Sequence, residues 1–296
     1  MEMLTLSHVS KRFGENQVLR DVSFSVPEHT IFGFVGKNGA GKTTAMKLIL
    51  GLLSSDGGTI LVGGQPVRYG NTATNRLIGY LPDVPEFYSY MTSSEYLTFC
   101  GEITGMEKKK TQERREELLN LVGLNGNRRV RGFSRGMKQR LGIAQALLHM
   151  PRLLICDEPT SALDPAGRKE LLDILAAARE KTTVLFSTHI LSDVERICDE
   201  AAVLHDGRIV LQGTLSQMKK MRRTAVELEM EEMQDAALLL AEFPFLQAQG
   251  RNGLILKQAD RLPELLSFMG ERKLSVLRIE HQESALEDLF LEVMGE

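Results

Sequence analysis

The segment that most limits what this chain can fold into begins at Ile31. Ile31-Phe32-Gly33-Phe34-Val35 carries no polar side chain, as a strand covered on both faces requires. It stops at Gly36, and Gly36-Lys37-Asn38-Gly39-Ala40-Gly41-Lys42-Thr43 then meets the pattern GxxxxGK followed by Ser or Thr, with helical spacing of apolar residues from Thr43 to Leu53. A glycine-rich turn between a buried strand and a helix lets successive backbone N–H groups curl around phosphates at the helix N-terminus. Lys42 adds a mobile positive charge and Thr43 a hydroxyl suited to Mg²⁺, so a nucleoside triphosphate is the implied ligand. By residue frequencies alone the pattern arises in roughly one chain of this length in a hundred. The strand–turn–helix context makes a coincidental glycine turn rarer still.

The rest of the pattern supplies a sheet for that strand. Val22, Phe24 and Val26 alternate with polar residues as in a half-exposed strand, and short strands are expected around Thr59 to Val62 and Ile78 to Leu81. Helical spacing dominates from about Ser94 to Leu124. Ser134 is a good N-cap for a helix that puts Met137, Leu141, Ala144 and Leu148 on one face and stops before Pro151. Leu153 to Cys156 and Thr183 to Phe186 read as buried strands joined by a helical stretch from Pro165 to Lys181, a βαβ crossover. The fold class is therefore α/β with a mainly parallel sheet.

Near residue 214 the composition shifts, and Lys219-Lys220-Met221-Arg222-Arg223 interrupts the apolar patterning. This divides the chain into a domain over 1–215, a linker over 216–224 and a small α+β domain over 225–296. In the last part, Val226/Leu228/Met230 alternate and a helix covers Met233 to Glu242. Gly250 to Gly253 turns into a strand at Leu254 to Leu256, a helix runs from Leu262 to Met269 and a strand from Leu274 to Ile279. A final helix is expected from the capping box Ser284-Ala285-Leu286-Glu287, with Leu286, Leu289, Phe290 and Val293 on its apolar face. The order is roughly βαββαβα, similar to a ferredoxin-like arrangement.

Leu153 to Cys156 ends in Asp157-Glu158, two carboxylates that can diverge from a strand end toward a metal and a water. Asp157 suits Mg²⁺ and Glu158 suits a base. On their own the pair reads equally well as a solvated acidic loop, and a lone His189 reads as a structural histidine. The formal net charge of −3 gives no polybasic bias toward nucleic acid or anionic lipid. Cys100, Cys156 and Cys198 are scattered and odd in number, which suggests neither a disulfide framework nor a zinc site and fits a reducing cytosol. No run reaches about 18 apolar residues and the start lacks a signal-peptide pattern, so neither a membrane span nor secretion is expected.

Together with Phe133-Ser134-Arg135-Gly136-Met137-Lys138-Gln139-Arg140 and Ser187-Thr188-His189, these motifs resemble the ABC ATPase family over roughly residues 1–215. The resemblance implies a P-loop NTPase domain with a mainly parallel sheet, an antiparallel β subdomain and a helical subdomain. It implies ATP and Mg²⁺ as cofactors. ATP would be held by Gly36, Asn38, Gly39, Ala40, Gly41, Lys42, Thr43 and Thr44, with Phe13 stacking on adenine. Thr43, Asp157 and Asp83 would face the metal, and Glu158, His189 and Lys42 would be catalytic. Ser161-Ala162-Leu163-Asp164 matches the D-loop, and Ser134 and Gly136 would meet the γ-phosphate of a nucleotide held by a second ATPase subunit, most simply an identical one.

Two positions depart from the family pattern. Arg135 replaces the first signature glycine, and Asp83, after Ile78-Gly79-Tyr80-Leu81-Pro82, stands where a glutamine is usual. An aspartate there would oppose the γ-phosphate unless a metal or a cation screens it. The resemblance also implies an integral membrane permease as partner, docked near Tyr88 and Tyr90, and a cytoplasmic location peripheral to the cell membrane, with no nucleic acid. The layout of one ATPase domain plus a short C-terminal unit resembles bacterial drug, antibiotic and sodium efflux subunits. The competing expectations are a soluble ABC ATPase acting on nucleic acid or ribosomes, disfavoured by the short stretch between Lys42 and Ser134, and a P-loop kinase, disfavoured by the Ser134 signature and His189. The C-terminal unit carries no catalytic motif and is expected to pack or to stabilise a dimer.

Overall fold

The computed structural model describes residues 1–70, 73–221, 224–257, 259–283, 289–290 and 293. The chain forms two compact units, Met1–Leu215 and Ser216–Glu296. The first contains β1 (Glu2–Phe13), β2 (Asn16–Pro27), β3 (Ile31–Val35), α1 (Lys42–Ile49), β4 (Gly57–Val62), β5 (Gln65–Pro66) and β6 (Ile78–Leu81). It continues with α2 (Ser93–Ile103), α3 (Lys108–Leu121), α4 (Arg135–Leu147), β7 (Leu153–Cys156), α5 (Pro165–Ala178), β8 (Thr183–Thr188), α6 (Leu191–Ile197), β9 (Glu200–His205) and β10 (Arg208–Thr214).

A six-stranded sheet in the order β10-β9-β3-β8-β7-β6 is parallel except at the β9/β10 pair. β2, β1, β4 and β5 make a separate antiparallel sheet. Every residue of β3 and β7 is buried, as their unbroken apolar sequences require. Successive residues of β7 serve opposite cores. Leu153 and Ile155 pack with Phe32, Phe34, α1 and the antiparallel sheet, while Leu154 and Cys156 pack with Phe186 and residues of α2 to α5. Burial raises the Cys156 thiol far above its ordinary range, so it is an inert core group. Gly79 in β6 lies against α4, and a Cβ there would come 2.1 Å from the Ala146 carbonyl oxygen. No described helix is long and apolar enough to cross a membrane.

Local differences from the sequence expectation have physical causes. α1 ends at Ile49 rather than Leu53, with Gly51 at φ 67 turning the chain away. The helical stretch after Ser94 is two helices, broken around Gly105, and the first is opened by a capping box between Thr92 and Glu95. β1 is not anticipated because its alternation slips between Leu6 and Val9, at a bulge where His8 has φ 54. β9, β10 and α6 are likewise absent from the sequence reading.

In the second unit α7 (Leu215–Lys220) occupies part of the stretch expected as a linker. Then come β11 (Thr224–Met230), α8 (Met233–Glu242), β12 (Leu246–Gln249), β13 (Gly253–Leu256), α9 (Leu262–Arg272) and β14 (Val276–Glu283). The sheet order β12-β13-β11-β14 is antiparallel throughout. Val226, Leu228, Met230, Leu254 and Leu256 pack against Leu239 of α8 and Leu265 and Met269 of α9. The capping box at 284–287 lies outside the described residues.

Candidate active site

Parallel strands bring their C-terminal ends to one edge of a sheet, so the loops after β3, β7 and β8 meet there. Gly36 N–H donates to the Thr188 carbonyl at 3.3 Å, and Asp157 N–H donates to the Leu81 carbonyl at 2.8 Å. Gly41, the N-cap of α1, has φ 111, and a Cβ there would lie 2.8 Å from Leu19 Cδ2. Only glycine satisfies both constraints. Lys42 is the first residue of α1 and only 5% exposed. Its Nζ donates to the carbonyls of Gly36 at 2.5 Å and Lys37 at 3.1 Å, and stands 3.0 Å from Glu158 Oε1.

Glu158 Oε2 lies 2.8 Å from His189 Nδ1. Glu158 itself has φ 48, a left-handed backbone that a glutamate adopts only when its surroundings impose it. Ser187, which the sequence reading did not single out, is part of that imposition. Its hydroxyl accepts from the Glu158 N–H at 3.0 Å and donates to Asp157 Oδ1 at 2.7 Å. One buried side chain from the neighbouring strand thus fixes the Asp157 carboxylate and the Glu158 backbone, while Lys42 and His189 hold the Glu158 carboxylate.

The donor set fits a magnesium nucleotide. Exposed Thr43 at the helix N-terminus and buried Asp157 offer hard oxygen ligands, Lys42 a cation, and the cradle leaves no room for a Cβ at Gly41. Asn38 and Gly39 are exposed, Ala40 and Thr44 half-buried. Phe13 stands at the end of β1, 47% exposed, with Lys11 Nζ 5.3 Å from its ring centroid. Lys11 also pairs with Asp56 at 3.0 Å, and that contact holds the Asp56 carboxyl below its usual range.

Ser134 caps α4, its Oγ accepting from the Met137 N–H at 3.3 Å, and a Cβ at Gly136 would lie 3.7 Å from Leu163 Cδ2. The Asp83 carboxylate is directed to protein partners: Oδ1 accepts from Ser161 Oγ at 2.7 Å and from Arg135 Nη2 at 3.4 Å.

The model of the ABC transporter family matches residues 19–161. An ABC transporter ATP-binding protein of Bacillus subtilis, YxlF, is 40% identical, covering 99% of this chain and 99% of its own length. The chain belongs to the ABC transporter ATP-binding family. As an ABC ATPase it binds and hydrolyses ATP. The bacitracin transport ATP-binding protein BcrA of Bacillus licheniformis is 34% identical over 99% of this chain and 97% of its own. Among solved structures, an ATP-binding subunit of an ABC transporter is 33% identical, with a TM-score of 0.66 over 74% of this chain and 92% of that one.

A second feature of the ABC ATPase lies beside the site. The loop after β6, with α2 and α4, walls a groove of 680 Å³ lined by Tyr80, Phe87, Tyr88, Tyr96, Phe99 and His149. Tyr88 stacks edgewise on Phe99 with centroids 5.7 Å apart and lies 5.8 Å from the exposed Tyr90. Tyr96 donates to Gln145 Oε1 at 3.0 Å. Burial pushes the Tyr80 hydroxyl up to about 12, with nearby Asp157 adding to the shift. Burial also lowers His149, whose Nε2 meets the Ile78 carbonyl at 3.1 Å. The sequence reading named Tyr88 and Tyr90 but not Tyr96, in α2, or His149, in the turn after α4, which signal nothing by spacing.

Proposed function

We propose that this chain powers export as the ATPase subunit of a transporter whose permease is a separate integral membrane protein. The observation that carries the reading is the Lys42–Glu158–His189 constellation, set beside a second, separately capped helix N-terminus at Ser134. α1 already offers one N-terminus to the phosphates, so the Ser134 terminus serves a nucleotide held by another subunit. Two copies pair head to tail around two ATP, a two-fold arrangement that closes on itself.

In that dimer Glu158 orients and deprotonates the attacking water, steadied by His189 at 2.8 Å. Lys42 leaves Glu158 and its loop carbonyls for the phosphates, where its charge offsets the charge that develops in phosphoryl transfer. Thr43 and Asp157 are the residues that would hold Mg²⁺, which would supply positive charge against that of the phosphates. Phe13 stacks on adenine. The aromatic groove takes an apolar segment of the permease, which holds the subunit on the cytoplasmic face of the membrane. The second unit packs or stabilises the dimer.

The export reading is supported by the bacitracin transport relatives, which match over both units. It is tested by purifying tagged chain carrying Glu158→Gln from membranes with ATP. A multi-helix membrane protein that comes down with it supports the reading. Ribosomes or DNA without a membrane protein would sink it and promote a soluble ATPase.

A further inference from the structure

We infer that Asp83 and Arg135 are a paired positioning device that fixes the Ser134 helix terminus against the turn carrying Glu158, and that Asp83 is not a metal ligand. Three segments meet at this pair. Asp83 follows β6, Arg135 opens α4, and Ser161 lies in the loop after β7. Asp83 Oδ1 accepts from Ser161 Oγ at 2.7 Å and from Arg135 Nη2 at 3.4 Å, while Arg135 Nη2 also reaches Ser161 Oγ at 3.3 Å. The three polar groups therefore form a closed triangle.

Two further contacts anchor it, one at each end. Gln139, fully buried and one turn along α4 from Arg135, donates Nε2 to the Asp83 main-chain oxygen at 2.6 Å. Residues at this spacing share one helix face, so α4 grips both the backbone and the carboxylate of Asp83. At the other end the Ser161 N–H donates to the Glu158 carbonyl at 3.1 Å. A continuous path of hydrogen bonds thus runs from the first turn of α4 through Asp83 and Ser161 to the residue that carries the base.

Charge explains why both residues are needed. A carboxylate near the γ-phosphate repels it unless a cation screens it, and Arg135 is that cation. Conversely, an unpaired Arg135 would be free to leave the helix terminus it flanks. Arg135 and Asp83 are 46% and 49% exposed, and exposed pairs add little to fold stability. Their loss is therefore read in the geometry of the site rather than in the melting temperature.

The inference rests on the proposed ATP-driven dimer, and the test separates the two. In full-length chain carrying Glu158→Gln, dimer formation is followed by analytical ultracentrifugation against ATP, and nucleotide binding against Mg²⁺ with a fluorescent ATP analogue. Asp83→Ala and Arg135→Ala are each expected to raise the ATP needed for half-dimerisation about five- to tenfold. Asp83→Gln with Arg135→Gly, which removes both charges, returns it to within about twofold, and Arg135→Lys recovers part. The Mg²⁺ midpoint stays fixed in all of them. A Mg²⁺ midpoint shifted in Asp83→Ala but not in Arg135→Ala, or strictly additive losses in the double variant, overturns the inference. If Asp83→Ala does not fold, Asp83→Asn, which keeps an acceptor for Ser161 but not the charge, gives the same reading. Failure of chain with Asp83 and Arg135 intact to dimerise with ATP overturns instead the dimer on which the inference stands.

Discussion

Both units are sheets with helices, yet among the described residues only the first gathers the motif side chains at one edge. In the first, β3, β7 and β8 run in the same direction, so their last residues deliver Gly36, Asp157 and His189 to one edge. In the second, every neighbouring pair is antiparallel, and loops from successive strands leave at opposite ends. The face of that sheet away from its core carries Glu227, Glu229, Arg278 and Glu280, with Glu229 in register opposite Arg278 and Arg278 paired with Glu280. Strand direction, more than composition, decides where a site can assemble.

If this contrast is right, damage to the two units should separate cleanly. Glu158→Gln should lower ATP hydrolysis by about 10²- to 10⁴-fold with nucleotide binding retained, measured by phosphate release and fluorescent-nucleotide titration. Lys42→Ala should cost about 10²- to 10³-fold in turnover and also weaken nucleotide binding, because it removes both the cation and the partner of Glu158. Leu228→Ala, in the buried core of the second unit, should destabilise that unit by about 2–5 kcal/mol by calorimetry and leave nucleotide binding to the first unit unchanged. A large fall in nucleotide affinity from Leu228→Ala would break the comparison.

The smallest effect concerns His149. Its folded value lies below the ordinary 6.5 because burial disfavours the charged ring. The stability it contributes is present above pH 6.5 and is lost as pH falls through the folded value. His149→Gln should therefore flatten the loss of thermal stability on acidification, compared with the parent chain between neutral pH and pH 5.

What was legible in the sequence was what is local. The apolar run into Gly36, the N-cap at Ser134 and the alternation of Val226, Leu228 and Met230 each declare their element within a few residues. β1 was hidden because a bulge at His8 breaks the period, and α7 because its basic run looks like a linker. In the site, the motifs assign Lys42, Glu158 and His189 catalytic parts, and the fold brings Lys42 and His189 onto the Glu158 carboxylate. The contacts of Ser187 and of the Asp83–Arg135–Ser161 triangle carry no such signal, since their partners are separated by dozens of positions and no local pattern records such a contact. The sequence raises the need for a cation near Asp83 without linking it to Arg135, and only the fold supplies that link.

Gly79 has one more implication. With no side chain between β6 and the Ala146 carbonyl, strand and helix meet backbone to backbone, and no compressible layer separates them. α4 starts at the Ser134 cap, and β6 runs into the loop that carries Asp83 and the aromatic groove. A displacement of the helix at the nucleotide end therefore has little slack to be absorbed at this joint before it meets the strand that leads to the groove wall.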